Sequence, residues 1–251
     1  NFEGTRTIFA EAAKQDIEVI VYTSTESILT GNARRDTLVD AAVVRKLSEM
    51  PGPYCRSKFL AEQEAFKAAK KGLPVVIVAP TLPIGPGDRW ITPPTRMILD
   101  FLNAKTPAYL ECGLNMVDVR DVAKGHILAA ERGRIGERYI LGNENLNLSE
   151  LLGFIEEIAG LAMPKVRIPY WLALISGVLS ELTADYVTHQ APRAPLTGVR
   201  LARYPMFFNS EKAINELGFP QSSLRKALVD EIEWLLNNGL IVRRLPLLKE
   251  T

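Results

Sequence analysis

Cysteine is scarce. The 251 residues hold two, Cys55 and Cys112. Two thiols cannot build a disulfide framework, and such usage points to a reducing, cytoplasmic setting. An excess of charge is missing too. Thirty basic residues face 29 acidic ones, a net of +1, with no block of like sign. No nucleic-acid partner is therefore expected. Long apolar runs are lacking. The best candidate, residues 170–182, is interrupted by Ser176, Gly177, Ser180 and Glu181, and a membrane span needs ~20 apolar residues. No integral membrane segment is expected. No cluster of His, Cys, Asp and Glu has metal-ligand spacing, which argues against a metal site. Internal repeats and low-complexity tracts are absent as well.

What is present is an ordinary globular composition, 47% hydrophobic and 24% charged, in a chain long enough to bury a core unaided. Residues 1–14 read as a helix with Ile8, Phe9, Ala12 and Ala13 on one stripe. Residues 17–22 (IEVIVY) and 75–79 (VVIVA) are the apolar runs of strands buried on both faces. A helix over 56–71 lies between them, after an irregular stretch at 30–53 broken by Gly31, Pro51, Gly52 and Pro53. This is the helix–strand–helix–strand order of half a doubly wound α/β sheet. A Pro/Gly loop over 80–88 follows. The pattern then predicts helices near 95–103 and over 119–132, strands near 115–119 and 138–141, and a helix capped by Asn147-Leu148-Ser149. Beyond these come an extended piece at 165–168, helical spacing from Trp171 to Leu182, a loop over 184–206 and a last helix over 224–237.

Three places can carry chemistry. Tyr54 and Lys58 stand four apart at the head of a helix, so phenol and ammonium share a face. An ammonium favours phenolate and brings a group of pKa ~10 toward working range. Alone, the pair reads equally well as a helix start with a surface lysine. Thr23-Ser24-Thr25 ends a buried strand, at the sheet edge where doubly wound folds bind ligands, although hydroxyls are common at strand ends. Pro80-Thr81 ends the next strand at the same edge.

With these in place the chain resembles the extended short-chain dehydrogenases/reductases, the NAD-dependent epimerase/dehydratase family. The matching stretches are 1–5 (NFEGT), 19–25 (VIVYTST), 53–62 (PYCRSKFLAE), 73–81 (LPVVIVAPT), 85–88 (GPGD), 117–126 (VDVRDVAKGH), 208–213 (FNSEKA) and 216–219 (ELGF). Within the family the chain looks most like hopanoid-associated sugar epimerases and dihydroflavonol-reductase-like enzymes. The resemblance implies a Rossmann-like doubly wound parallel sheet with a smaller α/β substrate-binding domain. Residues 1–79 would be the remainder of the dinucleotide-binding domain and 80–251 mainly the substrate region, with 115–135 returning to the first. It implies hydride transfer between NAD or NADP and a secondary alcohol or ketone, in a reductase or an epimerase acting on a small molecule. Tyr54 would be the acid/base, Lys58 would lower its pKa and hold the nicotinamide ribose, and Thr25 would be the catalytic hydroxyl. Ser24 is the fallback and a cofactor neighbour. Asn1 would support a water relay behind the lysine. Pro80, Thr81 and Leu82 would face the nicotinamide, and Arg89 and Trp90 would line the substrate pocket. A homodimer joined through the Lys58 helix is implied by the resemblance alone.

Two departures stand out. Where the family often has Asn before Pro-Thr, this chain has Ala79, which takes away a polar contact for a sugar nucleotide. The glycine-rich turn that cradles a pyrophosphate has no counterpart, since the only G-x-G, Gly85-Pro86-Gly87, runs toward Pro93-Pro94. The favoured expectation is that the chain is part of a longer protein, with the first strands of the sheet upstream of Asn1. The rival is a non-catalytic binding or scaffold protein on a degenerate dehydrogenase fold. Retention of Tyr54, Lys58 and Thr25 together argues against it. His126, His189, Asp118, Arg120 and Asp121 read as structural or solvated, and Cys55 as a small residue open to oxidation beside Tyr54. The Trp171–Leu182 stripe reads as core, or else as an apolar substrate entrance or a contact with a membrane surface.

Overall fold

In a computed structural model of the chain, residues 1–30, 38–183 and 196–246 are described. The first part contains α1 (Phe2–Ala12), β1 (Ile20–Thr23), α2 (Pro53–Lys70), β2 (Val75–Pro80), β3 (Leu82–Ile84), α3 (Pro93–Leu102), β4 (Ala108–Tyr109), β5 (Gly113–Asp118) and α4 (Val119–Arg132). Then come β6 (Arg138–Leu141), β7 (Glu144–Asn147), α5 (Leu148–Ala159), β8 (Val166–Arg167), α6 (Tyr170–Thr183), α7 (Leu196–Leu201), α8 (Glu211–Leu217) and α9 (Leu224–Asn237). Short 3-10 turns cover Glu26–Ile28 and Leu47–Glu49.

The strands β1, β2 and β6 form a parallel sheet in that order. β2 lies at its centre, and Val75 to Ala79 are buried throughout. Its side chains alternate as a strand requires. Val76 and Val78 join Val122, Tyr139 and Phe219 on one face, while Val75 and Ile77 meet Phe9 and Ala65 on the other. The expected strand over 17–22 starts later, at Ile20, and is only half-buried. Among the described strands it pairs on one side only, so one flank lacks cover. Ile8, placed on the buried stripe of α1, is instead 67% exposed.

A second sheet, β3-β5-β7, carries α3, α5 and α9 around one apolar cluster that includes Ile98, Leu102, Leu151, Ile155, Leu228 and Ile232. The Pro/Gly loop expected over 80–88 thus contains a strand. Pro83 is tolerated because β3 is an edge strand, paired only with β5. α7 falls inside the expected 184–206 loop; His189 and residues 184–195 lie outside the described residues. No helix among the described residues is long and apolar enough to cross a membrane, and none of their acidic, His and Cys side chains cluster to hold a metal.

One buried acid ties α9 to the turn that follows β3. Glu231 of α9 accepts a hydrogen bond from the Gly85 amide at 3.0 Å, and its other oxygen is buried without a partner. Gly85 adopts φ +141°, and a Cβ there would meet Val119 Cγ1 at 2.8 Å. Burial raises the Glu231 carboxyl from 4.5 to about 7. The folded state therefore keeps a proton that the unfolded chain releases, and stability falls as pH rises between those values, then levels. Each pH unit of that interval is worth about 1.4 kcal/mol. Urea unfolding at pH 5 and pH 8 is expected to show a smaller loss for Glu231→Gln than for the wild type. Equal losses would remove Glu231 from the account.

Candidate active site

The site is assembled where β1 ends. Ser24 prolongs the ladder, its amide reaching the Val78 carbonyl at 2.7 Å. The chain then turns away at Thr25, whose extended backbone and side-chain oxygen cap the Glu26–Ile28 turn by accepting from the Ser27 amide at 3.3 Å. Next to this edge runs α2. Its first turn starts at Pro53, three residues before the expected boundary, because proline at N1 sacrifices no helical bond. That start puts Tyr54 on the helix, one turn ahead of Lys58.

Successive turns of α2 grip successive residues of the strand end. Lys58 Nζ donates to the Thr23 carbonyl at 2.9 Å. Ser24 Oγ donates to Glu62 Oε1 at 2.8 Å. The half-exposed Tyr54 phenol lies near the Thr25 side chain, which acts to lower its pKa. Glu62 is itself paired with Arg138 of β6 at 3.3 Å, and both are buried. Asn1, ahead of α1, donates through Nδ2 to Ser57 Oγ at 3.1 Å, and Ser57 Oγ donates to the Tyr54 carbonyl at 2.9 Å.

The structure thus brings Thr25, Tyr54 and Lys58 together, with Ser24 behind them and Asn1 against the helix turn between Tyr54 and Lys58. Thr81 continues the β2–β6 ladder, its amide donating to the Leu141 carbonyl at 3.1 Å, and it is buried. Pro80 and Leu82 flank it on the same edge. Arg89 and Trp90 lie on the exposed stretch before α3, where Trp90 is 91% exposed. His126 bridges Thr23 Oγ1 at 3.0 Å and the Val122 carbonyl at 2.8 Å. Asp118 caps α4 by accepting from the Arg120 amide at 2.8 Å, and Asp121 holds Ser222.

The electrostatics differ from expectation. Burial raises the Tyr54 phenol above its ordinary value, the Thr25 side chain opposes this and the Glu26 charge adds to it. Lys58 is not among the groups that set it. Its ammonium is engaged by Thr23 and lies over the Tyr22 ring, 5.5 Å from the centroid. Burial lowers Lys58 itself, partly offset by Glu62. The Tyr54 phenol thus holds its proton more tightly than a free phenol does. Cys55 is fully buried and its thiol is pushed up by burial, which shields it from the oxidation its neighbourhood suggested.

Glu26, Glu62 and Arg138 escaped the sequence reading. Glu62 did have a signal, since it extends the four-residue series of Tyr54 and Lys58 along one face. Glu26, buried against Thr25, sits at about 7 because of burial.

The donor set suits the nicotinamide end of a dinucleotide. Among the described residues, Thr23 occupies one of the three N–H donors of Lys58. The remaining donors and the half-exposed phenol lie at the C-terminal edge of a parallel sheet, where such ligands bind.

Comparison with known proteins agrees. The NAD dependent epimerase/dehydratase family model matches residues 1–142. A protein of Synechocystis sp. named as a dihydroflavonol 4-reductase is 41% identical over 247 residues, covering 96% of this chain and 71% of its own. Cinnamoyl-CoA reductase 2 of Arabidopsis thaliana is 33% identical, covering 94% of this chain and 65% of its own. The crystal structure of a nucleoside-diphosphate-sugar epimerase from Pseudomonas aeruginosa superimposes with a TM-score of 0.78 at 26% identity, covering 93% of this chain and 71% of its own. The chain belongs to the NAD-dependent epimerase/dehydratase family of extended short-chain dehydrogenases/reductases, enzymes of NAD(P)-dependent oxidoreductase and epimerase chemistry on a Rossmann-like α/β fold.

Proposed function

We propose that this chain carries the catalytic part of an NAD(P)H-dependent carbonyl reductase. The observation that carries the reading is the placement of the Tyr54 phenol near Thr25 and one helical turn from Lys58, whose ammonium the Thr23 carbonyl holds. Thr25 orients the carbonyl oxygen. Tyr54 donates the proton that turns the developing alkoxide into an alcohol. Lys58 holds the ribose hydroxyls, and Asn1 steadies the helix turn behind it. Ser24 keeps the strand end against α2, and the edge at Pro80, Thr81 and Leu82 faces the nicotinamide. When bound, the dinucleotide supplies the hydride.

Ala79 supports reduction over sugar-nucleotide epimerisation. It is buried with Ile28, Cys55 and Phe208, so no polar group reaches a substrate from that position. The relatives named as reductases are also more similar than the epimerase. Residues 1–79 form the remainder of the dinucleotide domain in this reading, 80–251 serve mainly the substrate, and 115–135 return to the first. The packing of α4 against β1 and β2 supports that return. Arg89 and Trp90 line the substrate side. The protein works in the cytoplasm as a homodimer joined through α2, the Lys58 helix.

The test is consumption of NADH and NADPH by the full-length protein with a dihydroflavonol, cinnamoyl-CoA or UDP-glucose. Net oxidation with a carbonyl substrate is expected. Inversion of the sugar nucleotide without net oxidation would favour the epimerase. Lys58→Met is expected to weaken dinucleotide binding about 10- to 100-fold, the worth of hydrogen bonds from a charged donor. Calorimetric titration giving wild-type affinity would make Lys58 a structural lysine.

A further inference from the structure

Glu26 is buried in the wall of the site and has no part in the roles above. Thr25 Oγ1 donates to Glu26 Oε2 at 3.0 Å, lies 3.0 Å from Ser27 Oγ and accepts from the Ser27 amide at 3.3 Å, with the Tyr54 phenol nearby. A hydroxyl offers one proton and two lone pairs. The Ser27 amide uses one lone pair. One proton and one lone pair are left for Glu26, Ser27 Oγ and the substrate oxygen of the proposed reaction, and three partners cannot all be served.

We propose that Glu26 is a positioning residue that sets which way the Thr25 hydroxyl directs its proton. The carboxylate draws that proton to itself, because a charged acceptor outcompetes neutral ones. The carboxylic acid instead donates into the free lone pair of Thr25 and releases its proton toward the substrate carbonyl or the Tyr54 oxygen. The claim rests on the carbonyl-reductase reading of Thr25 and Tyr54. The titratable groups facing Glu26 are the Tyr54 phenol and the Cys55 thiol, both from α2. Its other partners are the Thr25 hydroxyl and the amides of Glu26 and Ser27. Its carboxyl sits at about 7, so both forms are populated at neutral pH and the reductive reaction slows as pH rises through that value.

The experiment is a cycle on the full-length protein, following the Tyr54 phenol by NMR of ring-labelled tyrosine, with Tyr54→Phe assigning the signal. Glu26→Gln is expected to lower the Tyr54 titration midpoint, and to lower it by about one pH unit more with Thr25 present than in Thr25→Ala. Equal shifts in the two backgrounds mean that Glu26 acts through its charge alone, and overturn the proposal. A second measurement does not need Glu26→Gln to fold. In Thr25→Ala the Glu26 carboxyl midpoint is expected to rise, because its ionised form loses a donor; an unchanged midpoint also overturns the proposal. If Thr25→Ala and Tyr54→Phe turn over at the wild-type rate while both titrations behave as expected, the reductase reading fails and the coupling stands.

Discussion

Tyr54→Phe is expected to lower kcat about 100- to 10,000-fold, the usual contribution of a positioned proton donor. The substitution removes one oxygen from a half-exposed ring, so the fold has little reason to respond. The oxygen lost is the phenol placed near Thr25. Lys58 keeps its bond to the Thr23 carbonyl, so dinucleotide affinity is expected to stay near the wild-type value. A loss of kcat at retained cofactor affinity places the interaction in the transition state. Turnover within a factor of a few of the wild type would remove Tyr54 from the chemistry.

Arg138→Ala is expected to cost about 3–5 kcal/mol of stability, the range for breaking one side of a buried ion pair. Arg138 holds more than Glu62. Its Nε donates to the Ala41 carbonyl at 3.1 Å, its Nη2 to the Val43 carbonyl at 2.8 Å, and its guanidinium lies 5.5 Å from the Phe66 ring centre. Removing it leaves Glu62 buried with Ser24 as its main donor. Burial already raises the Glu62 carboxyl, and Arg138 is the largest opposing influence. Without Arg138 the carboxyl rises further and holds its proton in the folded state to higher pH. The penalty is then smaller at pH 5 than at pH 8, because an acid is less costly to bury than a carboxylate. Denaturant midpoints at the two pH values read both the size and the sign. A midpoint close to the wild type at pH 8 would mean that the pair contributes little.

Much of this was legible beforehand. Val75 to Ala79 of β2 are a pure run of Val, Ile and Ala, and α4, β6 and α9 have the boundaries their periodicity and caps predict. The short elements were not legible. In β7 only Leu146 is buried, so no alternation shows, and β3 hides behind Pro83. α8 spans seven residues, too few for a helical stripe to stand out. At the site, hydroxyl, phenol and ammonium converge as the resemblance implied. The buried charges Glu26, Glu62 and Arg138 were missed because carboxylates and guanidinia ordinarily read as surface. The surroundings of Lys58 and Tyr54 were hidden for a related reason. Spacing places two groups on one face, but burial and the carbonyl that engages the ammonium are tertiary facts.

The parallel order β1-β2-β6 also bears on how the molecule comes to exist. Ile20 pairs with Val75, and Ile77 with Arg138. Each pairing closes a loop of more than fifty residues, and such distant contacts slow folding. Thr25 and Tyr54 meet only once the first loop has closed, and the Glu62–Arg138 pair forms only with the second. Helices α2, α4 and α9 can gain structure earlier from local contacts. During refolding, enzymatic activity should therefore return after helical circular dichroism, and its lag would time the moment when the sheet is complete.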